Sequence, residues 1–191
     1  MTVRSPGCTV WFTGLPCSGK STLAKMAAQK LGQLGLPVEL LDGDELRTHF
    51  SVGVGFSKED RSNHLRRVSY LCHLLTKNGV VVLASFISPY RENREYARKL
   101  IGDRFAEVFT DSPVESCMKR DVKGMYQKAL AGEIKQFTGV SDPYEPPLHP
   151  DLVLKTDEET PSQSVAKLMD LLRDRYGFPI PSGSPFQAGS E

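Results

Sequence analysis

Long hydrophobic runs are missing from this 191-residue chain, and no stretch approaches the roughly 20 apolar residues of a membrane-spanning helix. The first seven residues carry neither the basic start nor the apolar segment of a secretory signal, so a cytoplasmic location is expected. Excess charge of either sign is missing too. The 24 Lys and Arg against 23 Asp and Glu leave a formal +1, which removes any global attraction to nucleic acid or anionic lipid and makes any anion site a local one. Cysteine is sparse: Cys8, Cys17, Cys72 and Cys117 form no CxxC pair and have no histidine at ligand spacing. A structural zinc site or a disulfide framework is thereby disfavoured, and a reducing compartment fits. Internal repeats are absent. What is present, 39% hydrophobic and 25% charged residues, suits one packed domain over residues 1–176.

Apolar runs rich in β-formers alternate with helical patterns. Strands are expected at 8–13, 38–41, 80–86, 105–109 and 152–154, and helices at 20–34, 58–77, 91–101, from 113 to 119, and 161–176. The run at 80–86 is apolar throughout, as in a strand buried on both faces. This rhythm predicts an α/β fold with a mostly parallel five-stranded sheet covered by helices on both faces. Two stretches depart from it. Residues 121–150 show little periodicity and carry Gly124, Gly132 and Gly139, and a segment of that length is often functional. Residues 177–191, with Pro179, Pro181, Gly183 and Pro185, are expected to form a flexible tail contributing little to the core.

The sequence Gly14-Leu15-Pro16-Cys17-Ser18-Gly19-Lys20-Ser21 fits G-x-x-x-x-G-K-[ST] between a strand and a helix. Glycines at 14 and 19 permit a tight turn whose amides face phosphate oxygens, and the following helix adds its positive end. Lys20 reaches the outer phosphates, the Ser21 hydroxyl is suited to Mg²⁺, and Cys17, Ser18 and Thr22 complete the triphosphate side. A thiol at Cys17, near a helix N-terminus, invites a lowered pKa, although a small loop residue without redox role is the simpler expectation.

On the acceptor side, Asp42-Gly43-Asp44 follows the second strand, at the edge where parallel sheets bind ligands. Its carboxylates suit Mg²⁺ or a proton from an attacking hydroxyl, and Asp42 or Asp44 also suits a helix cap. Arg47 lies one helical turn beyond Asp44. Ser57 and Asp60 have capping spacing, whereas Arg61 is an anion candidate. Ser88 followed by Pro89 reads as an N-cap with proline at the first helical position, with a ligand contact as the alternative.

These motifs together resemble the adenylylsulfate kinase (APS kinase) family. The resemblance runs from about Thr9 to Thr156 and adds Gly55-Phe56-Ser57, Ile87-Ser88-Pro89-Tyr90-Arg91, Lys123-Gly124, Phe137-Thr138-Gly139 and Ser141-Asp142-Pro143-Tyr144. It implies a P-loop nucleoside-triphosphate kinase fold with a mobile lid at about 121–150. It also implies ATP-dependent phosphorylation of the ribose 3′-hydroxyl of adenosine 5′-phosphosulfate (APS) to 3′-phosphoadenosine 5′-phosphosulfate (PAPS), with Mg²⁺.

By resemblance, Asp44 orients or deprotonates the hydroxyl, and Arg47 and Arg61 hold the phosphosulfate. Phe56 and Phe137 enclose the acceptor adenine, Ile87 and Ser88 contact the acceptor, and Arg120 serves ATP. Ser88 also matches a serine regarded as a phosphoserine intermediate in bacterial members. In the lid, Lys123 is singled out among the basic residues. One position departs from the family, which has asparagine where this chain has His64; an imidazole there keeps a hydrogen bond and is expected to be pH-sensitive. A homodimer and a functional link to an ATP sulfurylase are expected. Two other readings share the cradle: a kinase for another hydroxyl acceptor, and a catalytically silent nucleotide-binding regulatory domain. The intact Gly19-Lys20-Ser21 and Asp44 weigh against the silent one.

Overall fold

A computed structural model describes residues 7–50 and 53–182. Strands β1 (Cys8–Thr13), β2 (Val38–Asp42), β3 (Val81–Ser85), β4 (Phe105–Asp111) and β5 (Leu152–Lys155) pair in the order β2-β3-β1-β4-β5. Every pairing is parallel, so the expected mostly parallel sheet is wholly so. β1 and β3 are buried along their whole length, which accounts for their unbroken apolar character. The register sets Phe12 and Asp42 against Ser85 from either side, so the chain leaves β1, β2 and β3 at one edge.

The helices are α1 (Lys20–Gln33), α2 (Gly43–His49), α3 (Lys58–Lys77), α4 (Arg91–Ile101), α5 (Val114–Lys119), α6 (Met125–Leu130) and α7 (Pro161–Tyr176). Alternate strand residues face opposite ways. Val10, Phe12, Leu83 and Val108 pack against Leu23, Ala27 and Leu31 of α1 and Leu168 and Leu172 of α7. Trp11, Val82, Ala84 and Phe105 pack against Leu65, Val68 and Cys72 of α3 and Ala97 of α4. None of the described helices is long and apolar enough to cross a membrane. All four cysteines are free thiols.

The structure corrects three expectations. Residues 121–150 are not without an element: α6 forms there, and its Tyr126 and Ala129 join Cys117 and Phe137 in a third apolar cluster that reaches Leu15 and Cys17. The tail adds to the core at two points, because Phe178 and Ile180 are buried in the α1/α7 cluster; residues 183–191 lie outside the described residues. Ser88 does not cap α4. That helix begins at Arg91 with Tyr90 at its N-cap, and the Arg91 amide donates instead to the distant Glu145 carboxylate at 2.8 Å.

Candidate active site

The loop between β1 and α1 has the conformation its glycines demand. Gly14 has φ 151°, and a Cβ there would sit 2.3 Å from Thr110 Oγ1, so no larger residue fits. Gly19 caps α1 at φ 95°. Ser18 is buried, its hydroxyl 2.7 Å from that of Thr110. Lys20 Nζ donates to the carbonyls of Gly14 (3.0 Å) and Leu15 (2.6 Å). Burial lowers the Lys20 pKa from 10.5 to about 8, which leaves it a cation at neutral pH. At Cys17 burial, reinforced by the Asp121 carboxylate, raises the thiol pKa, the opposite of the lowering that a place near a helix end invites. Arg120 donates to the Thr156 carbonyl (2.6 Å), and the Thr156 hydroxyl donates to Ser18 O (2.9 Å), tying Arg120 to the cradle. Thr22 lies exposed one residue beyond Ser21 on the first turn of α1.

Across from the cradle, Asp42 faces two ways. Oδ1 accepts from the Asp44 amide (3.0 Å), capping α2, and Oδ2 accepts from the Ser21 hydroxyl (2.7 Å), which is also 3.2 Å from Ser85 Oγ. One carboxylate thus both caps α2 and bonds the cradle serine. Among the described residues no group of three or more His, Cys, Asp or Glu side chains is placed to hold a metal. The Ser21–Asp42 pair is nonetheless the kind of hard-oxygen donor set with which Mg²⁺ shares phosphates and water, so the residues present fit that ion. Asp44 is exposed and joined to Lys123 Nζ at 2.5 Å.

The acceptor-side residues gather beside these carboxylates. Phe56 is 56% exposed, with Arg47 4.4 Å and Arg61 5.6 Å from its ring centroid. Arg47 also donates to Gly55 O (3.1 Å), and Arg61 bridges Phe56 O (2.8 Å) and Gln136 O (2.6 Å), joining α3 to the 121–150 segment. Ser57 caps α3 by accepting from the Asp60 amide at 3.1 Å, as its spacing predicts. The two expected adenine-enclosing rings are in different settings: Phe56 is open, whereas Phe137 belongs to the third cluster, edge-on to Tyr126 at 5.0 Å. His64 is buried, its ring 5.9 Å from Phe86. Burial, then the Arg47 and Arg67 cations, lowers its pKa from 6.5 to about 4, so the expected pH sensitivity near neutrality is corrected: the imidazole is neutral there.

Ser88 is 2% exposed; its hydroxyl accepts from Trp11 Nε1 (3.1 Å) and lies 3.0 Å from Thr13 Oγ1. The neighbouring Ile87 carbonyl accepts from Thr13 Oγ1 at 2.8 Å. Thr13 is 3.0 Å from the Tyr144 hydroxyl, whose pKa burial raises to about 12. Thr13, Tyr144, Arg94, Glu145 and Tyr126 were not singled out by role from the sequence. Thr13 and Tyr144 meet across 131 residues and Arg94 reaches Glu145 across 51, and no local spacing announces such pairs. Cys17, Ser88 and Gln136 are the non-glycine residues with positive φ among those described (60°, 41° and 55°), and all three sit in this site's loops.

A family model described as adenylylsulphate kinase matches residues 6–155. An adenylyl-sulfate kinase of Gloeothece citriformis is 52% identical over 176 residues, covering 92% of this chain and 99% of that protein. One of Halothermothrix orenii is 50% identical, covering 92% and 94%. A solved Mycobacterium tuberculosis APS kinase in complex with AMPPNP and APS aligns with a TM-score of 0.85 at 45% identity, covering 88% of this chain and 98% of that one. A gluconokinase from Sinorhizobium meliloti, at 19% identity and a TM-score of 0.56, shares the fold alone. With the cradle and the facing carboxylates in place, these likenesses lead to one conclusion: the chain is a kinase and belongs to the adenylylsulfate kinase family.

Proposed function

We propose that Lys20, Asp44 and the Ser21–Asp42 pair form the reaction centre of this kinase, with residues 121–150 acting as a lid over it. The reaction is transfer of the γ-phosphoryl group of ATP to the ribose 3′-hydroxyl of APS, giving PAPS and ADP in sulfate assimilation. The observation that carries the residue roles is the 2.7 Å bond between Ser21 and Asp42, because it joins the triphosphate loop to the acceptor-side carboxylates.

In this reading the cradle amides, Ser18 and Thr22 hold the triphosphate, and Arg120 secures the ATP side through Thr156. The 3′-oxygen bonds to the γ-phosphorus while the bond from that phosphorus to its bridging oxygen breaks, releasing ADP. The hydroxyl proton passes to the Asp44 carboxylate, which is exposed and hands it to solvent. Lys20 supplies positive charge to the moving phosphoryl group. Ser21 and Asp42 would hold Mg²⁺, which when bound offsets phosphate charge. Arg47 and Arg61 take the phosphosulfate, Phe56 stacks on the adenine with Phe137 on the far side, and His64 supports the pocket as a neutral ring. Ile87 and Ser88 present backbone to the acceptor. The Ser88 hydroxyl, enclosed between Trp11 and Thr13, serves to shape that loop rather than to carry phosphate. A cytoplasmic setting, a homodimer and an ATP sulfurylase supplying APS belong to the same reading, the last two resting on the family alone. The test is product identification from ATP, Mg²⁺ and APS with the phosphorylated ribose position resolved by NMR. PAPS with stoichiometric ADP is expected; phosphate at the 2′-position, or ADP release independent of APS, overturns the reading.

A further inference from the structure

Arg94 lies on the second turn of α4 and is 2% exposed, yet it carries a charge. Its three nitrogens go to three separate parts of the chain. Nε donates to Glu107 Oε1 on β4 (2.7 Å), Nη1 to the Ser88 carbonyl (2.5 Å), and Nη2 to the Glu145 carbonyl (2.6 Å). The first bond balances the buried charge, and the other two hold backbone. Ser88 is one of the positive-φ residues, a conformation that persists only where its surroundings over-determine it. Its carbonyl is fixed by Arg94 and its hydroxyl by Trp11 and Thr13.

Glu145 is the other end of the tie. Its amide donates to Pro89 O (2.8 Å) and its carboxylate accepts from the Arg91 amide (2.8 Å). Close by, Arg91 Nε donates to Pro146 O (2.8 Å), and the Tyr90 hydroxyl donates to Asp142 (3.1 Å). Residues 142–146 are therefore stitched to the loop that enters α4. Arg94 holds the carbonyls of both segments with one planar group, a geometry that a lysine point charge cannot reproduce.

We infer that Arg94 is a positioning residue for the acceptor: it fixes the Ile87–Ser88 backbone to the base of the 121–150 segment, so that the APS pocket keeps its shape when that segment moves. This rests on the reading of Ile87 and Ser88 as acceptor contacts. Glu107 keeps a second cationic neighbour, Arg98 at 3.4 Å, so Arg94→Lys leaves the buried carboxylate partnered.

The experiment is steady-state kinetics of Arg94→Lys with each substrate varied in turn. The expected result is a KM for APS raised about ten- to a hundredfold, while the KM for ATP stays within about twofold. Parallel rises in both constants, or no change in either, overturn the inference. Should the variant not fold, amide hydrogen exchange of the wild-type enzyme decides. Saturating APS is expected to slow exchange at Arg91 and Glu145 together, and slowing at neither or at only one overturns it. A wild-type enzyme that does not turn over APS would instead refute the proposed function, a separate failure.

Discussion

Replacing His64 by asparagine should remove a specific part of the acid sensitivity of this fold. The imidazole is 2% exposed, packed edge-on to Phe86, with Arg47 and Arg67 disfavouring its cation. Its pKa falls from 6.5 to about 4 on folding. Between these values the unfolded chain binds a proton that the folded chain refuses, so stability rises with pH across that window and is lost as pH falls through it. The full difference is about 3 kcal/mol, of which about 2 kcal/mol has been lost by pH 5. Asparagine does not titrate. Urea unfolding of both proteins at about pH 7.5 and pH 5 should therefore show the wild type losing about 2 kcal/mol relative to His64→Asn on acidification. The packing cost of the smaller side chain is common to both pH values and cancels from this comparison. An unchanged difference between the two proteins would mean that the folded imidazole protonates freely, and the burial argument for this position would fail.

Asp44→Asn should lower kcat by about 10²- to 10⁴-fold while leaving the affinity for a non-hydrolysable ATP analogue within a few-fold, read by calorimetry; equal losses in both would give Asp44 a structural part instead. Ser88→Ala should keep measurable turnover and lose about 1 kcal/mol of stability, since the hydroxyl is a buried partner of Trp11 and Thr13; complete loss of activity in a folded variant would favour a covalent phosphoserine. Phe178→Ala should cost about 3 kcal/mol in urea unfolding, because this tail residue is 3% exposed within the α1/α7 core; a loss below about 1 kcal/mol would return the tail to the periphery.

The legible parts of this molecule are those whose cause is local. Eight consecutive residues, Gly14 to Ser21, contain both the turn chemistry and the ligand groups of the cradle, and the flanking strand and helix are periodic enough to be read on either side. β3 is legible because burial on both faces leaves an unbroken apolar run. α6 escapes notice because six residues between Gly124 and Ala131 are too few to show a period. Phe178 and Ile180 are hidden by the prolines around them: composition says tail, while two apolar residues outside any helix or strand reach the core.

The Ser88-Pro89 pair shows how a sound local rule can be outvoted. Serine before proline suits a helix start, but three partners from Trp11, Thr13 and Arg94 hold Ser88 at positive φ, and the helix entrance passes to Arg91 with a cap from residue 145. Arg61 stands between the two cases. Its place in the first turn of α3 marks it as available for an anion, yet its tie to Gln136 O, 75 residues on, has no trace in any local pattern. Arg94 is the limiting case: in the run Arg91-Glu92-Asn93-Arg94-Glu95 nothing distinguishes it from a solvated surface arginine, because its buried partners are brought to it by β4 and by the meeting of the Ser88 and Glu145 loops. Chemistry that one loop can supply is therefore written in residue types, whereas the geometry that makes such chemistry selective for one acceptor is held by bonds to backbone carbonyls, which a residue of any type supplies equally well.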